Sequence, residues 1–309
     1  MNNDYGMRLA GIRKRVLIAV LATTVPVAML AGASAALAQP TGPYAVFAQC
    51  PTNVPSVALC NYAQTTSGEF AIGSTKVPIN KTITLQGGAI STGELNNFFL
   101  YPAKNGESLS KTELNVPGGL LDLINCEEIT GSGWFETAVR NACKAVFENK
   151  TTGVTATTEL VANEHNPALF NLTNLIVGEG SALTLPVRVH LKNPFLGNSC
   201  YIGSESSPIQ LHLTTGTTSP PEPNKPIKGS VGHFSEEEEV LVVTGNSLVD
   251  NAFSVPKAEG CGEFLFVTGF LDALVNAKLG LPLAAGHNTA VLSGTLRTAT
   301  AEAVVASEK

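Results

Sequence analysis

Two histidines carry the first suggestion of chemistry. Leu183, Leu185, Val187, Val189 and Leu191 alternate with Thr184, Pro186, Arg188, His190 and Lys192, and Ile209, Leu211 and Leu213 alternate with Gln210, His212 and Thr214. A period of two marks a strand with one dry face and one wet face, and His190 and His212 both stand on the wet parity. In a hairpin centred on residue 201 the two imidazoles face each other, close enough to share a metal such as zinc or copper. The plainer alternative is two solvated histidines on an open sheet face. A second cluster is Glu236–Glu239, which follows His233. Calcium sites usually draw ligands from a turned loop with Asp and a bend Gly, so a straight acidic run fits a solvated strand edge better.

Other catalytic arrangements find little support. The chain has no G-x-S-x-G elbow, H-E-x-x-H helix, phosphate-cradling G-x-x-x-x-G-K or EF-hand loop. Beyond residue 38 its aspartates are Asp122, Asp250 and Asp272, which leaves little for an aspartyl dyad or an Asp-oriented triad. Glutamates are plentiful, so an extracellular hydrolase with paired carboxylates stays open. Sugar-cleaving clefts generally also want aromatic platforms, and Trp134 is the single tryptophan, expected to pack within a helix. No cofactor is called for. Asn80, Asn149 and Asn171 head glycosylation sequons that matter only in a eukaryotic secretory host.

The elements that must position these residues are mostly strands. Short alternating runs cover Glu69–Thr75 and Thr82–Gln86, with Phe70, Ile72, Ile83 and Leu85 inward. Asn97–Tyr101 and Glu107–Val116 flank Asn105-Gly106, a strong hairpin signal. Thr151–Val161, Phe170–Val177, Val240–Thr244 and Phe264–Val267 read as further strands. Phe135, Ala138, Val139, Ala142, Cys143 and Val146 fall on one helical face, with Ser132 or Gly133 as cap. Pro117–Ile124 suggests a short helical turn, and Phe270–Val275 a second helix that stops at Gly280 and Pro282. Asn288–Val305 suits either one long strand or a terminal helix. Thr214–Gly229 has four prolines and no periodicity, which fits a long exposed loop better than a domain linker. The expected class is mainly β, a β-sandwich or jelly-roll of antiparallel sheets with one or two short helical inserts; an α+β arrangement is the alternative.

The amino terminus supplies a compartment. Arg8, Arg13, Lys14 and Arg15 precede apolar stretches Val16–Ala22 and Val25–Ala31, and Ala36-Leu37-Ala38 fits a signal-peptidase site. Ala33-Ser34-Ala35 is an earlier candidate, and a retained anchor over Val16–Ala38 is the competing reading. Cleavage after Ala38 leaves residues 39–309 as one secreted domain with no membrane span. It also removes Arg8, Arg13, Lys14, Arg15 and Asp4 from 19 basic and 25 acidic residues, leaving 15 and 24, a net charge of −9. That field repels nucleic acid and anionic lipid; an extracellular or cell-surface protein or glycan is the class of partner left.

All six cysteines, Cys50, Cys60, Cys126, Cys143, Cys200 and Cys261, lie beyond residue 38, and there is no C-x-x-C. An even count in an exported chain argues for disulfides. Six cysteines allow fifteen pairings, of which the sequential one, Cys50–Cys60, Cys126–Cys143 and Cys200–Cys261, is the expectation.

The stretch Gly178–Ser204, GEGSALTLPVRVHLKNPFLGNSCYIGS, resembles a segment common in uncharacterised secreted proteins of actinobacteria. Pro208-Ile-Gln-Leu, the Thr- and Pro-rich loop and Cys261-Gly continue the likeness. It implies a Gram-positive exported protein and carries no activity. The leading expectation is therefore a secreted or envelope-associated, non-catalytic β protein with a binding, adhesive or structural role. A glutamate hydrolase and a metal- or small-ligand-binding protein are the alternatives.

Overall fold

The structure, a computed structural model, describes residues 38–119, 126–148, 153–262 and 268–309. In chain order its strands are β1 (Val57–Ile72), β2 (Thr75–Pro78), β3 (Ile83–Ser91), β4 (Asn97–Tyr101), β5 (Glu113–Val116), β6 (Val154–Leu160) and β7 (Leu169–Asn171). Then follow β8 (Leu183–Lys192), β9 (Tyr201–Ile202), β10 (Ile209–Leu213), β11 (His233–Glu237), β12 (Val240–Asp250), β13 (Ala258–Glu259) and β14 (Asn288–Thr300). The helices are α1 (Trp134–Glu148), α2 (Leu172–Val177), α3 (Thr268–Leu279) and α4 (Ala301–Ala306). The protein is mainly β, as its alternating runs require.

All the strands belong to one 14-stranded antiparallel sheet, with the main path β11-β12-β14-β1-β3-β4-β7-β8-β6-β5 and β10 on the free edge of β8. Just past β10, Thr214 and Val249 exchange both backbone hydrogen bonds, at 3.0 and 2.8 Å. That bridge joins β10 to β12 and closes a circuit of β12, β14, β1, β3, β4, β7, β8 and β10. The facing layers of the expected sandwich are thus parts of one continuous sheet, and closure removes the sticky edges of most of its strands. The edge that remains at β11 is fully exposed and carries Glu236 and Glu237; Glu238 and Glu239 form the turn into β12, with φ of 49° and 66°.

Two bulges set what faces inward. In β1 the register shifts between Thr65 and Ser67, so Asn61 and Ala63 share the inner face with Phe70 and Ile72 despite their opposite parity. In β12 it shifts between Thr244 and Asn246, around Gly245 with φ of 66°, so inward Val243 is followed by inward Asn246 and Leu248. An extra residue re-aims every later side chain. Gly294 of β14 lies at the level of both bulges, where a Cβ would fall 1.8 Å from the Gln64 carbonyl oxygen.

The main core fills this closed sheet. A second, smaller core lies outside the Cys60 and Ala299 positions, where Tyr44, Phe47, Val242 and Val304 pack. It is held by Cys50–Cys60 and by paired backbone bonds between Gln39 and Lys309, both 3.2 Å. The other bridges are Cys126–Cys143, which staples α1 to the turn before it, and Cys200–Cys261; the sequential pairing is borne out.

Several expectations shift in detail. The chain on either side of Asn105-Gly106 does not form a hairpin: β4 pairs with β3 and β7, while β5 pairs with β6. The turn exists, but Leu85 and Leu109 bridge, so the returning chain joins β3 and a neighbouring strand outcompetes the local partner. Phe170–Val177 divides into β7 and α2, because the Asn171 side chain accepts the Asn174 N–H and caps a helix that ends on left-handed Gly178. Asn288–Val305 is strand first and helix second, with Thr300 as the cap. Trp134 opens α1 and is 84% exposed, not packed. Residues 214–229 are exposed at their tip, while Thr214, Thr215 and Thr218 are buried and Asn224 donates to the Asn251 and Asn288 carbonyls. Residues 1–37, most of Pro117–Ile124 and Phe264–Val267 lie outside the described residues.

Candidate functional site

The two histidines are not brought together. β10 pairs with β8 so that His212 faces Thr184, whereas His190 faces Tyr201 of β9 and Thr157 of β6. The hairpin is centred three residues earlier than the metal reading needs, because β9 takes the part of the β8 edge beside His190. Six residues of β8 then separate the histidines, roughly 20 Å at 3.3 Å per residue. No cluster of three or more His, Cys, Asp or Glu side chains placed to hold a metal occurs among the described residues.

His190 instead belongs to a packed polar cluster on the outer face of β8. Its ring stacks on Tyr201 with centroids 4.3 Å apart, and its Nδ1 is 3.6 Å from Glu159 Oε1. Arg188 holds Glu159 Oε2 at 2.8 Å and lies 4.2 Å over the Tyr201 ring. Burial holds the His190 pKa below its ordinary value; Glu159 and a backbone contact at Asn198 oppose that, and Lys192 and Arg188 add to it. Lys192 closes the row with a 2.8 Å bond to Glu113, whose carboxyl that bond holds below its usual range.

A surface cleft of about 230 Å³ has two carboxylates, Glu107 and Glu159, in its lining. Glu159, however, spends one oxygen on Arg188 and turns the other toward His190. Asp250 is likewise committed: its two oxygens accept the Ala252 and His212 backbone N–H groups at 2.8 and 2.7 Å. Its burial raises its pKa against those bonds.

The interior is organised differently. Three cavities, of about 60, 60 and 40 Å³, run in a row inside the closed sheet. The first and second share Phe70, Thr158, Val187 and Leu211, and the second and third share Ala63, Leu85, Leu183, Asn246 and Leu248. Along β8 the row extends from Leu183 to Leu191, roughly 26 Å at the usual strand rise. None of the described residues that line the row ionises. Native cores have few voids wider than a water, so three in succession are unusual.

The far end is polar and unpaired. Asn61 and Asn246, 7% and 6% exposed, both line the third cavity. Asn61 Nδ2 and Oδ1, Asn246 Oδ1 and the Oγ1 of buried Thr298 have no hydrogen-bond partner among the described residues. Thr298 stands directly opposite Asn61 in the β1–β14 register, on the same face. Each such buried group left unmet costs roughly 1–3 kcal/mol.

Sequence reasoning passed over these residues. Asn61 lies in a short run, Asn-Tyr-Ala-Gln, with no clear dry parity, and only the bulge at Gly245 turns Asn246 inward. An isolated glycine inside a strand pattern was the available signal. No helix among the described residues is long and apolar enough to cross a membrane. No family model, curated protein or solved structure matches the chain.

Proposed function

We propose that this chain is an exported, non-catalytic binding protein whose ligand is a small, largely apolar molecule held inside the closed sheet. The single observation that carries the reading is the row of three adjoining, largely apolar cavities ending on two buried asparagines, with Asn61 Nδ2 and Oδ1 and Asn246 Oδ1 unpartnered among the described residues. Together they are of the same order as the roughly 150 Å³ apolar cavity known to bind benzene in another protein. Export rests on the Arg8–Ala38 leader pattern and on three disulfides, which suggest an oxidising environment. The non-catalytic reading rests on Glu159 and Asp250, whose oxygens are engaged by the fold itself, and on His190, whose ring is stacked on Tyr201 and whose unpartnered Nε2 is buried.

The test is titration of the disulfide-bonded protein with N-phenylnaphthylamine, a neutral dye that fluoresces in apolar surroundings. The expected result is saturable binding of one dye per chain, lost in Val187→Trp, where the indole fills the wall shared by the first two cavities. Failure of the folded wild-type protein to bind the dye saturably would overturn the reading.

A further inference from the structure

We infer that the ligand is a long-chain molecule with one uncharged hydroxyl head, and that Asn61 and Asn246 read that head. The inference rests on the apolar-ligand reading above and adds a chemical class to it.

The polar end has spare capacity of both kinds. Asn61 offers an amide donor through Nδ2 and an acceptor through Oδ1, and Asn246 offers an acceptor through Oδ1. A hydroxyl matches this set, since it donates one hydrogen bond and accepts others. An ionised carboxylate does not: the third cavity is lined by Leu, Phe, Ala and the two asparagines, with no cation. Burying that charge without a counter-ion costs far more than an amide returns. An ammonium fails for the same reason. A pure hydrocarbon enters, but leaves the amides as they stand.

Shape supports a chain rather than a compact ring system. Each cavity is small, and the three follow one another along β8, with Val187 to Leu191 in the first, Leu183 to Val187 in the second and Leu183 in the third. The hydrocarbon core of a bilayer, about 30 Å thick, is two acyl chains deep, so one such chain needs about 15 Å. The row, roughly 26 Å along the strand, is long enough to hold it.

The experiment compares dodecane, dodecanol and dodecanoate, equal in chain length, as competitors for the bound dye at pH 8. Dodecanol is expected to bind about tenfold tighter than dodecane, a gain of about 1.4 kcal/mol from the head's net hydrogen bonding. Dodecanoate is expected to bind more weakly than dodecanol. Asn61→Leu and Asn246→Leu should abolish the preference for the alcohol while dodecane still binds. Equal affinity for dodecane and dodecanol, or a dodecanoate affinity matching dodecanol, overturns the head assignment and leaves the apolar-ligand reading intact. Failure of all three to displace the dye overturns the chain-shaped ligand. Because the wild-type series alone decides the head, a variant that does not fold does not protect the inference.

Discussion

One strand, β8, presents two opposite solutions to the problem of polar groups near a core. On its outer face Arg188 and Lys192 are bound to Glu159 and Glu113 and the His190 ring stacks on Tyr201, while His190 Nε2 and the facing Thr157 Oγ1 are buried with no hydrogen-bond partner among the described residues. On its inner face Leu183 to Leu191 border cavities whose end carries the unpartnered Asn61 Nδ2 and Oδ1 and Asn246 Oδ1. The difference teaches where capacity remains: ion pairs are consumed by structure, unpaired imidazole, hydroxyl and amide atoms occur on both faces, and those of Asn61 and Asn246 line a cavity. Satisfied polar networks rigidify and unsatisfied ones cost stability, and the inner arrangement, whose unpaired amide atoms line a cavity, is the one that a bound molecule can complete.

The largest expected effect falls on the outer solution. Cys200 precedes Tyr201, the ring that covers His190, and its bridge to Cys261 closes a loop with a sequence separation of 61. Cys261 is also steadied by α3, where Asp272 Oδ1 accepts its N–H at 2.7 Å. Chain entropy gives a loop of that size about 4 kcal/mol, so Cys200→Ser with Cys261→Ser should lose that much in guanidinium unfolding. A loss below about 1 kcal/mol would mean that β9 holds its place on β8 without the bridge.

The sharper contrast lies in sign. Arg188→Met leaves Glu159 half-buried without its ion pair and removes the cation over Tyr201, with an expected loss of about 2 kcal/mol. Asn61→Leu removes two unpaired buried polar atoms from a wall with space beside it, and should gain roughly 1–3 kcal/mol in the ligand-free protein. Urea unfolding of both variants decides the matter. If both lose stability, Asn61 is satisfied in solution and the two faces do not differ in kind.

Much of this architecture was legible in the residues, and the site was not. The dry parity Leu183–Leu191 follows from local pattern, because a period of two is a property of neighbouring residues, whereas the sequential cysteine pairing is one of fifteen that the sequence allows. The histidine pairing failed because register depends on a competitor, β9, which takes the edge of β8 that a simple hairpin would use. The hairpin at Asn105-Gly106 failed for the same reason, with β3 as competitor. Asn61 and Asn246 escaped notice because their facing is set by which strands meet and where the chain bulges, and only closure of the sheet through Thr214 and Val249 places them at one end of a cavity.

The smallest expected effect is a pH dependence that separates the outer cluster from the rest. Burial holds the His190 pKa below its ordinary 6.5, so the folded protein refuses a proton that the unfolded chain accepts. Stability is then fully present above about pH 6.5 and falls as pH drops below it, levelling off once the folded imidazole is also protonated. Asp250 acts with the opposite sign in a lower window. Its pKa is raised above 3.8, so the folded protein takes up its proton first and stability recovers as pH falls toward that value. His190→Gln should flatten the slope just below pH 6.5 and leave the Asp250 window unchanged, as read by urea unfolding at a series of pH values. Glu159 and Asn198 oppose the shift, so the slope measures how firmly the packing around the ring, Tyr201 included, keeps water from it. A slope that survives in the variant assigns the acid loss to other groups, and His190 then joins the solvated residues of the wet face.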